Sequence, residues 1–309
     1  MSSATLRNIA IIGAGLMGHG IALTFARAGY AVRVYDPVAD SLATLKARIS
    51  DSLIALGVPA DDVPAITNNV TPCSDLSDAV STADLVVEAA PEKLALKQQI
   101  FTDVEALAPA HCLLASNTSV IPITSIMENL GDRSRALGTH WWNPPHMIPL
   151  VEVIRTKWTT DLAMEQMVAI LAEIGKTPVR VEKDVPGFIG NRLQHALWRE
   201  AVSLVENGVC SAEAVDSVIK SSFGRRLAVL GPLENADLVG TDLTLDIHQN
   251  VLADLEASGA PSPYLERLVS EGKLGMKSGE GFRNWTSETA EATRNRVTTH
   301  LRKLDTILE

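Results

Sequence analysis

The chain has 309 residues and 33.1 kDa, enough for two domains at roughly 150 residues each. Apolar residues make up 46% and charged residues 21%, which supplies sizeable cores and excludes a disordered or fibrous chain. Twenty-seven Lys and Arg against 37 Asp and Glu leave a net charge of −10, so neither nucleic acid nor an anionic membrane is an expected partner. From the N-terminus, short β-branched runs fall at residues 8–13 (NIAIIG), 31–36 (AVRVYD), 83–88 (ADLVVE), 112–116 (CLLAS), 136–140 (ALGTH) and 151–155 (VEVIR). Segments with helical spacing separate several of them, as at 93–108 and 161–174. Continuous apolar strands between helices predict an α/β domain with a mainly parallel sheet buried on both faces.

After Pro186-Gly187 the texture changes, and residues 188–309 read as helix after helix. Ile189, Leu193, Leu197, Ala201 and Leu204 make one stripe at 3.6 spacing; Val297, Leu301, Leu304 and Leu308 make another. The expected division is a nucleotide-binding domain over 1–185 and an all-helical domain over 186–309, with Pro186 in the first turn of its long helix. Cys73, Cys112 and Cys210 are odd in number and lack C-x-x-C spacing, so neither a disulfide framework nor a metal site is expected, and a reducing compartment fits. Residues 1–7 are too short for a signal peptide, and no uncharged apolar run reaches the ~18 residues of a membrane span; the expected location is the cytoplasm.

Gly13-Ala14-Gly15-Leu16-Met17-Gly18 follows an apolar strand, opens a helix, and precedes a strand ending in Asp36. A lone G-x-G-x-x-G is weak, but this context is that of a Rossmann-like, doubly wound fold binding a dinucleotide. The glycines permit a tight turn, close approach to a pyrophosphate, and close helix–strand packing. Asp36 is placed to accept from a ribose 2′-OH and to repel a 2′-phosphate, which selects NAD over NADP.

His140 ends one strand and Glu152 lies near the start of the next, joined by WWNPPHMIPL, whose three prolines favour a turn. A chain reversal there can set the carboxylate beside the imidazole, fixing its tautomer and raising its basicity. Such a pair removes a hydroxyl proton while hydride leaves the same carbon. Read without further context, a structural ion pair competes with this.

The chain resembles the L-3-hydroxyacyl-CoA dehydrogenase family over nearly its whole length. The resemblance runs through GAGLMGHGIA, VVEAAPE, SNTS (116–119), GTHWWNPPHMIPLVEVI (138–154), DVPGFIGNRL (184–193), GPLENADLVGTD (231–242) and KLGMKSGEGF (273–282). It implies a Rossmann-like domain followed by a helical domain that dimerises, with NAD as cofactor and a small molecule as substrate. By position it implies His140 as base, Glu152 as its orienting carboxylate, and Ser119 and Asn191 beside the substrate. Gly13, Gly15, Leu16, Met17, Gly18, Asp36, Glu92, Lys97, Ser119, Asn143 and Lys277 would contact NAD.

One region departs from that pattern. Residues 49–92 hold no Lys, Arg or His but carry Asp51, Asp61, Asp62, Asp75, Asp78 and Asp84. Ser52 matches a family serine near CoA, whereas the basic residue expected a few positions later falls on Pro59. The HWWNPPH segment is similar to a branch acting on small CoA-free compounds, which includes the pyridine-aldehyde carboxylate dehydrogenase of vitamin B6 breakdown and, more distantly, carnitine and gulonate dehydrogenases. Trp141, Trp142 and His146 are candidate substrate walls, and Arg225-Arg226 a candidate carboxylate clamp. Three alternatives stand beside this: a 3-hydroxybutyryl-CoA type of dehydrogenase serving fatty-acid metabolism, a β-hydroxyacid dehydrogenase type, which needs a lysine where this chain has Asn191, and a non-catalytic NAD-binding structural protein.

Overall fold

The alternating strands and helices build a single eight-stranded sheet in the computed structural model, which describes residues 7–308. The N-terminal segment 1–6 and the side chain of Leu308 in the second apolar stripe lie outside the described residues. The strands are β1 Asn8–Ile12, β2 Ala31–Tyr35, β3 Val70–Cys73, β4 Leu85–Glu88, β5 Leu113–Ser116, β6 Ala136–Trp141, β7 Leu150–Ile154 and β8 Thr177–Val181. Their order is β3-β2-β1-β4-β5-β6-β7-β8, and every neighbouring pair is parallel except β6 and β7. The chain winds outward from β1 to β3, then restarts at β4 on the other side of β1. That reversal opens a crevice at the carboxyl ends of β1 and β4, where a doubly wound sheet receives its ligand.

Alternate residues of each strand serve opposite faces. Ile9 and Ile11 of β1 join a core with Val32, Val34, Leu85 and Val87, while Ala10 and Ile12 join another with Val86 and Leu114. The first core is covered by α1 Leu16–Arg27, α3 Leu45–Ala55 and α8 Asp161–Glu173; the second by α5 Leu76–Val80, α6 Leu94–Leu107 and α7 Ile123–Ile126. Two short helices, α2 Ala39–Ala43 and α4 Val63–Thr67, complete the connection from β2 to β3.

Two strands escape the sequence reading, and both are edges. β3 contains Pro72 and β8 contains Pro178, residues that lack the N–H a central ladder needs but are tolerated where one side faces no partner. The helix expected to begin at Pro186 begins later, as α9 Gly190–Glu206. Gly187 at φ +75° and Phe188 at φ +50° turn the chain left-handed just before it, so Pro186 sits in the preceding loop and not in the first helical turn.

The chain divides after Arg192, within α9, into two compact units. The second, Leu193–Glu309, continues α9 and adds α10 Ala212–Ser221, α11 Pro232–Val239, α12 Thr241–Val251, α13 Pro263–Ser270 and α14 Ser287–Leu308. It has no extended strand among the described residues. Ser211 and Ser262 cap α10 and α13 with their side-chain oxygens. No helix among the described residues is long and apolar enough to cross a membrane.

Candidate active site

The glycine turn between β1 and α1 has the shape its sequence predicts. Gly13 is at φ +104°, and a Cβ there would lie 2.7 Å from the Ala89 carbonyl oxygen. A Cβ on Gly18 would meet the Gly13 carbonyl oxygen at 1.7 Å, so any larger residue would push α1 off the turn. Over Gly15, by contrast, a Cβ would meet nothing within 4 Å. The space above the turn is open, and no side chain caps the N-terminus of α1, whose first N–H groups at Leu16 and Met17 remain available for a phosphate. Asp36 Oδ2 accepts the Ala14 N–H at 2.7 Å and Oδ1 the Val38 N–H at 2.8 Å, which fixes the half-buried carboxylate at the end of β2. These residues fit the pyrophosphate and adenosine ribose of NAD.

Along the rim, β4 ends in Glu88, which is fully buried beside the equally buried Lys97 of α6. Lys97 Nζ lies 2.6 Å from Glu88 Oε1, 3.1 Å from the Ala90 carbonyl and 3.4 Å from Glu92 Oε2. The contact with NAD expected of Lys97 is therefore corrected: its ammonium is spent on three protein oxygens below the surface. Ser116 of β5 donates to the other Glu88 oxygen at 2.6 Å. Glu92 in turn accepts from the Thr118 hydroxyl and from the backbone N–H groups of Ser119 and Val120. Burial pushes the Glu92 carboxyl up, but those donors and the Lys97 charge outweigh it and hold the group below the usual carboxylate range. Lys97 thus acts through Glu92 on the loop that presents Ser119. Glu88, Ser116 and Thr118 were missed, although VVEAAPE and SNTS contain them; their signal was a carboxylate at the carboxyl end of an otherwise apolar strand.

The antiparallel pair β6 and β7 sets His140 directly opposite Glu152 in register. His140 Nδ1 donates to Glu152 Oε2 at 2.7 Å, and both side chains are buried. The other oxygen of Glu152 accepts the N–H groups of Ile189 and Gly190, at 2.8 and 3.1 Å, where α9 begins. Burial would raise the Glu152 carboxyl; the imidazole and the two helix-start N–H groups prevail and keep it below the ordinary range. A carboxylate only accepts, so Nδ1 carries the hydrogen and Nε2 is left as the basic nitrogen. One turn into α9, Asn191 donates from Nδ2 to the Ser119 carbonyl at 2.9 Å. Glu152 thereby ties the histidine to the helix start that holds the serine loop. Trp142 and Phe188 wall the imidazole, with ring centroids 5.3 and 5.5 Å away.

Other expected site residues part company. Trp141 points to the opposite face of β6 from His140, is 2% exposed, and packs on Phe25 with Lys176 over its ring. Its reading as a substrate wall is corrected to core. Trp142 stays beside the imidazole and fills the space over Gly190 that a Cβ would need. His146 packs over Gly20 of α1, 6.0 Å from the His19 ring, and burial plus the charges of His19 and Lys176 push it down to about 4. Ser52 lies 3.4 Å from His19 Nε2. Asn143 is exposed on the loop after β6. Lys277, Arg225 and Arg226 are exposed in the second unit. No cluster of three or more His, Cys, Asp or Glu suited to a metal occurs among the described residues.

A doubly wound sheet with an open glycine turn, an acid at the end of β2 and a buried His–Glu pair at its rim defines an NAD-dependent dehydrogenase acting on hydroxyl or aldehyde donors. The profile of the 3-hydroxyacyl-CoA dehydrogenase NAD-binding domain matches residues 8–185, and that of the 3-hydroxyacyl-CoA dehydrogenase C-terminal domain matches 187–285. The chain belongs to the 3-hydroxyacyl-CoA dehydrogenase family. It is 38% identical over 290 residues to 5-formyl-3-hydroxy-2-methylpyridine 4-carboxylate 5-dehydrogenase of Mesorhizobium japonicum, covering 93% of each chain. A crystal structure of an enzyme of that name, described as an NAD+ dependent dismutase, superposes with a TM-score of 0.91 at 37% identity, covering 98% of each chain. For (S)-3-hydroxybutyryl-CoA dehydrogenase of Ralstonia eutropha the TM-score is 0.76 at 30% identity, covering 91% of this chain and all of that one.

Proposed function

We propose that this dehydrogenase oxidises a small, CoA-free carboxylate bearing an aldehyde or secondary alcohol, as a cytoplasmic homodimer joined through its C-terminal helices. The carrying observation is the side of the crevice formed by α3. Residues 49–92 offer no cation, and Arg48, just before them, is committed to the protein itself. Its guanidinium donates to the Ala14 carbonyl at 2.6 Å, the Ser41 carbonyl at 2.8 Å and the Gly15 carbonyl at 3.5 Å. The likeness to the pyridine-carboxylate dehydrogenase supports the same reading. Without charged donors, each lost phosphate contact costs about 1.5–3 kcal/mol, so losing two weakens a CoA ester roughly 100-fold or more.

His140 Nε2 takes the proton from the substrate hydroxyl, or from one hydroxyl of a hydrated aldehyde, as the carbon–oxygen double bond forms. NAD, when bound, supplies the acceptor for the hydride that leaves that carbon. Glu152 stabilises the resulting imidazolium through Nδ1, and the N–H groups at the start of α9 keep the carboxylate ionised. Ser119 and Asn191 orient the reacting oxygen. Gly13, Gly15, Leu16, Met17, Gly18, Asp36, Glu92, Asn143 and Lys277 make up the NAD site. Parallel assays with acetoacetyl-CoA, acetoacetate and aromatic aldehyde carboxylates, read by NADH absorbance, test the substrate class. Efficient turnover is expected only with the free acids; a low-micromolar KM for the CoA ester returns the chain to 3-hydroxyacyl-CoA chemistry in fatty-acid metabolism.

A further inference from the structure

The second unit carries a projecting apolar element and a receiving apolar cavity, and neither is satisfied within its own chain. Among its described residues only Leu268 and Ala290 are buried apolar side chains. A unit of this length cannot hold its helices in place with so small a core. The cavity measures about 810 Å³ and is lined by Trp198, Val202, Val205, Val215, Leu265 and Phe282, drawn from α9, α10, α13 and the segment before α14.

The projecting element is an arm over residues 227–255. It leaves at a short 3₁₀ turn, Phe223–Arg225, that packs on α10. It returns at Glu256, whose N–H is held by Glu200 Oε2 of α9 at 2.7 Å. Between these anchors α11 and α12 pack substantially only on each other and on the turn Leu252–Asp254 that follows them. Leu233, Leu238 and Leu245 are 80%, 71% and 59% exposed, and Leu243, Ile247 and Val251 are also bare. Soluble monomers rarely leave so many large apolar side chains contiguous and uncovered.

We infer that the α11–α12 arm of one copy seats in the apolar cavity between α9, α10 and α13 of a second copy, and that the exchange is reciprocal. This rests on the homodimer proposed above and names how its two chains interlock. The missing core has to be supplied to every molecule for the unit to hold together, and the one partner always present in equal number is another copy of this chain. Each copy carries both halves of the contact, so two arms and two cavities close a symmetric pair with nothing left over. Pairing of arm with arm is disfavoured: residues 227–255 include Glu234, Asp237, Asp242, Asp246 and Asp254 and no Lys or Arg.

The test places the photo-crosslinker p-benzoylphenylalanine at Leu238 or, separately, at Leu245 of the full-length enzyme. After irradiation, denaturing electrophoresis and peptide mapping locate the bond. The expected product is a covalent dimer of twice 33.1 kDa, joined from the arm to peptides of α9, α10 or α13. Bonds confined to a single chain overturn the inference, as does an arm that forms none because it stays in solvent. Sedimentation of the unmodified protein separates this from the homodimer itself: a dimer whose crosslinks avoid the cavity keeps the homodimer and removes the exchange. The double variant Leu238→Asp, Leu245→Asp is expected to sediment as monomer at concentrations where the parent is wholly dimeric; a variant that remains dimeric sinks the proposal. Turnover with free carboxylates is scored independently, so failure of the substrate reading and failure of the exchange are not confused.

Discussion

The two units of this chain solve the problem of stability in opposite ways. In the first, a sheet covered on both faces seals apolar side chains by the dozen and, among them, charged and polar groups such as Glu88, Lys97, His140 and Glu152. In the second, long amphipathic helices carry their apolar stripes uncovered, and no polar side chain is buried among the described residues. Buried polarity gives the first unit its chemistry, because a carboxylate in low dielectric can hold an imidazole or a loop far more firmly than one in water. Exposed apolarity gives the second unit its capacity to associate. Damage to the first unit is therefore expected to be local, large and independent of protein concentration, whereas damage to the second scales with concentration.

The largest effect lies at the dyad. His140→Ala is expected to lower kcat about 10²–10⁴-fold while leaving NAD affinity nearly unchanged, because the base acts on substrate and not on cofactor. Steady-state kinetics beside calorimetric NAD titration separate the two. Equal losses in both would show that His140 shapes the cofactor site and would blur the division between glycine turn and dyad. Glu152→Gln is expected to lose less turnover, since the imidazole remains but its orientation and basicity suffer.

Next comes the buried ion pair. Lys97→Met leaves Glu88 with neither solvent nor counter-charge, a change expected to cost about 3–5 kcal/mol of stability. Denaturant unfolding measures it, and the loss should be the same at dilute and concentrated protein. A loss below about 1 kcal/mol would mean that solvent reaches Glu88 and that the contrast in burial between the units is overstated.

A smaller effect follows pH. His146 is held down to about 4, whereas an ordinary histidine titrates near 6.5. Above pH 6.5 the ring is neutral in both folded and unfolded chains and contributes no pH dependence. Between 6.5 and about 4 the unfolded chain takes up a proton that the folded one refuses, so stability falls as pH drops, by at most about 1.4 kcal/mol per unit. His146→Gln is expected to flatten that limb when thermal unfolding is followed from pH 7 to 4.5. An unchanged slope would assign it to His19, which burial also pushes down.

Much of the first unit was legible because its physics is local. The runs at 8–13, 31–36 and 83–88 are apolar on both faces, and G-x-G-x-x-G, Asp36, His140 and Glu152 stand at their ends. The edge strands β3 and β8 were hidden because Pro72 and Pro178 are read as breakers, and only pairing shows that each lies where a missing N–H costs nothing. Lys97 was placed on the cofactor because most lysines are exposed; its burial on Glu88 is a long-range fact that helix spacing does not encode. The same holds for the tie from Glu152 to the start of α9, since backbone N–H groups carry no sequence signature. In the second unit the stripes were legible, but not that the chain leaves them bare.

The smallest effect is the sharpest probe of that difference, because it inverts the usual rule that larger deletions hurt more. Ile11→Val removes one methylene from a side chain with no exposure in the first unit and is expected to cost about 0.5–1.5 kcal/mol at any protein concentration. Leu233→Ala removes three carbons, yet Leu233 is 80% exposed within its own chain. In unfolding at concentrations dilute enough to separate the copies, its loss is expected to stay within about 0.5 kcal/mol, below that of Ile11→Val. Raising the concentration stabilises the parent by mass action, and a variant with a weakened contact shares less of that gain, so its deficit should widen. Unfolding midpoints across a hundredfold range of concentration, measured for both variants and the parent, decide it. A constant deficit for Leu233→Ala would place that side chain in a core of its own chain and erase the contrast between the two units.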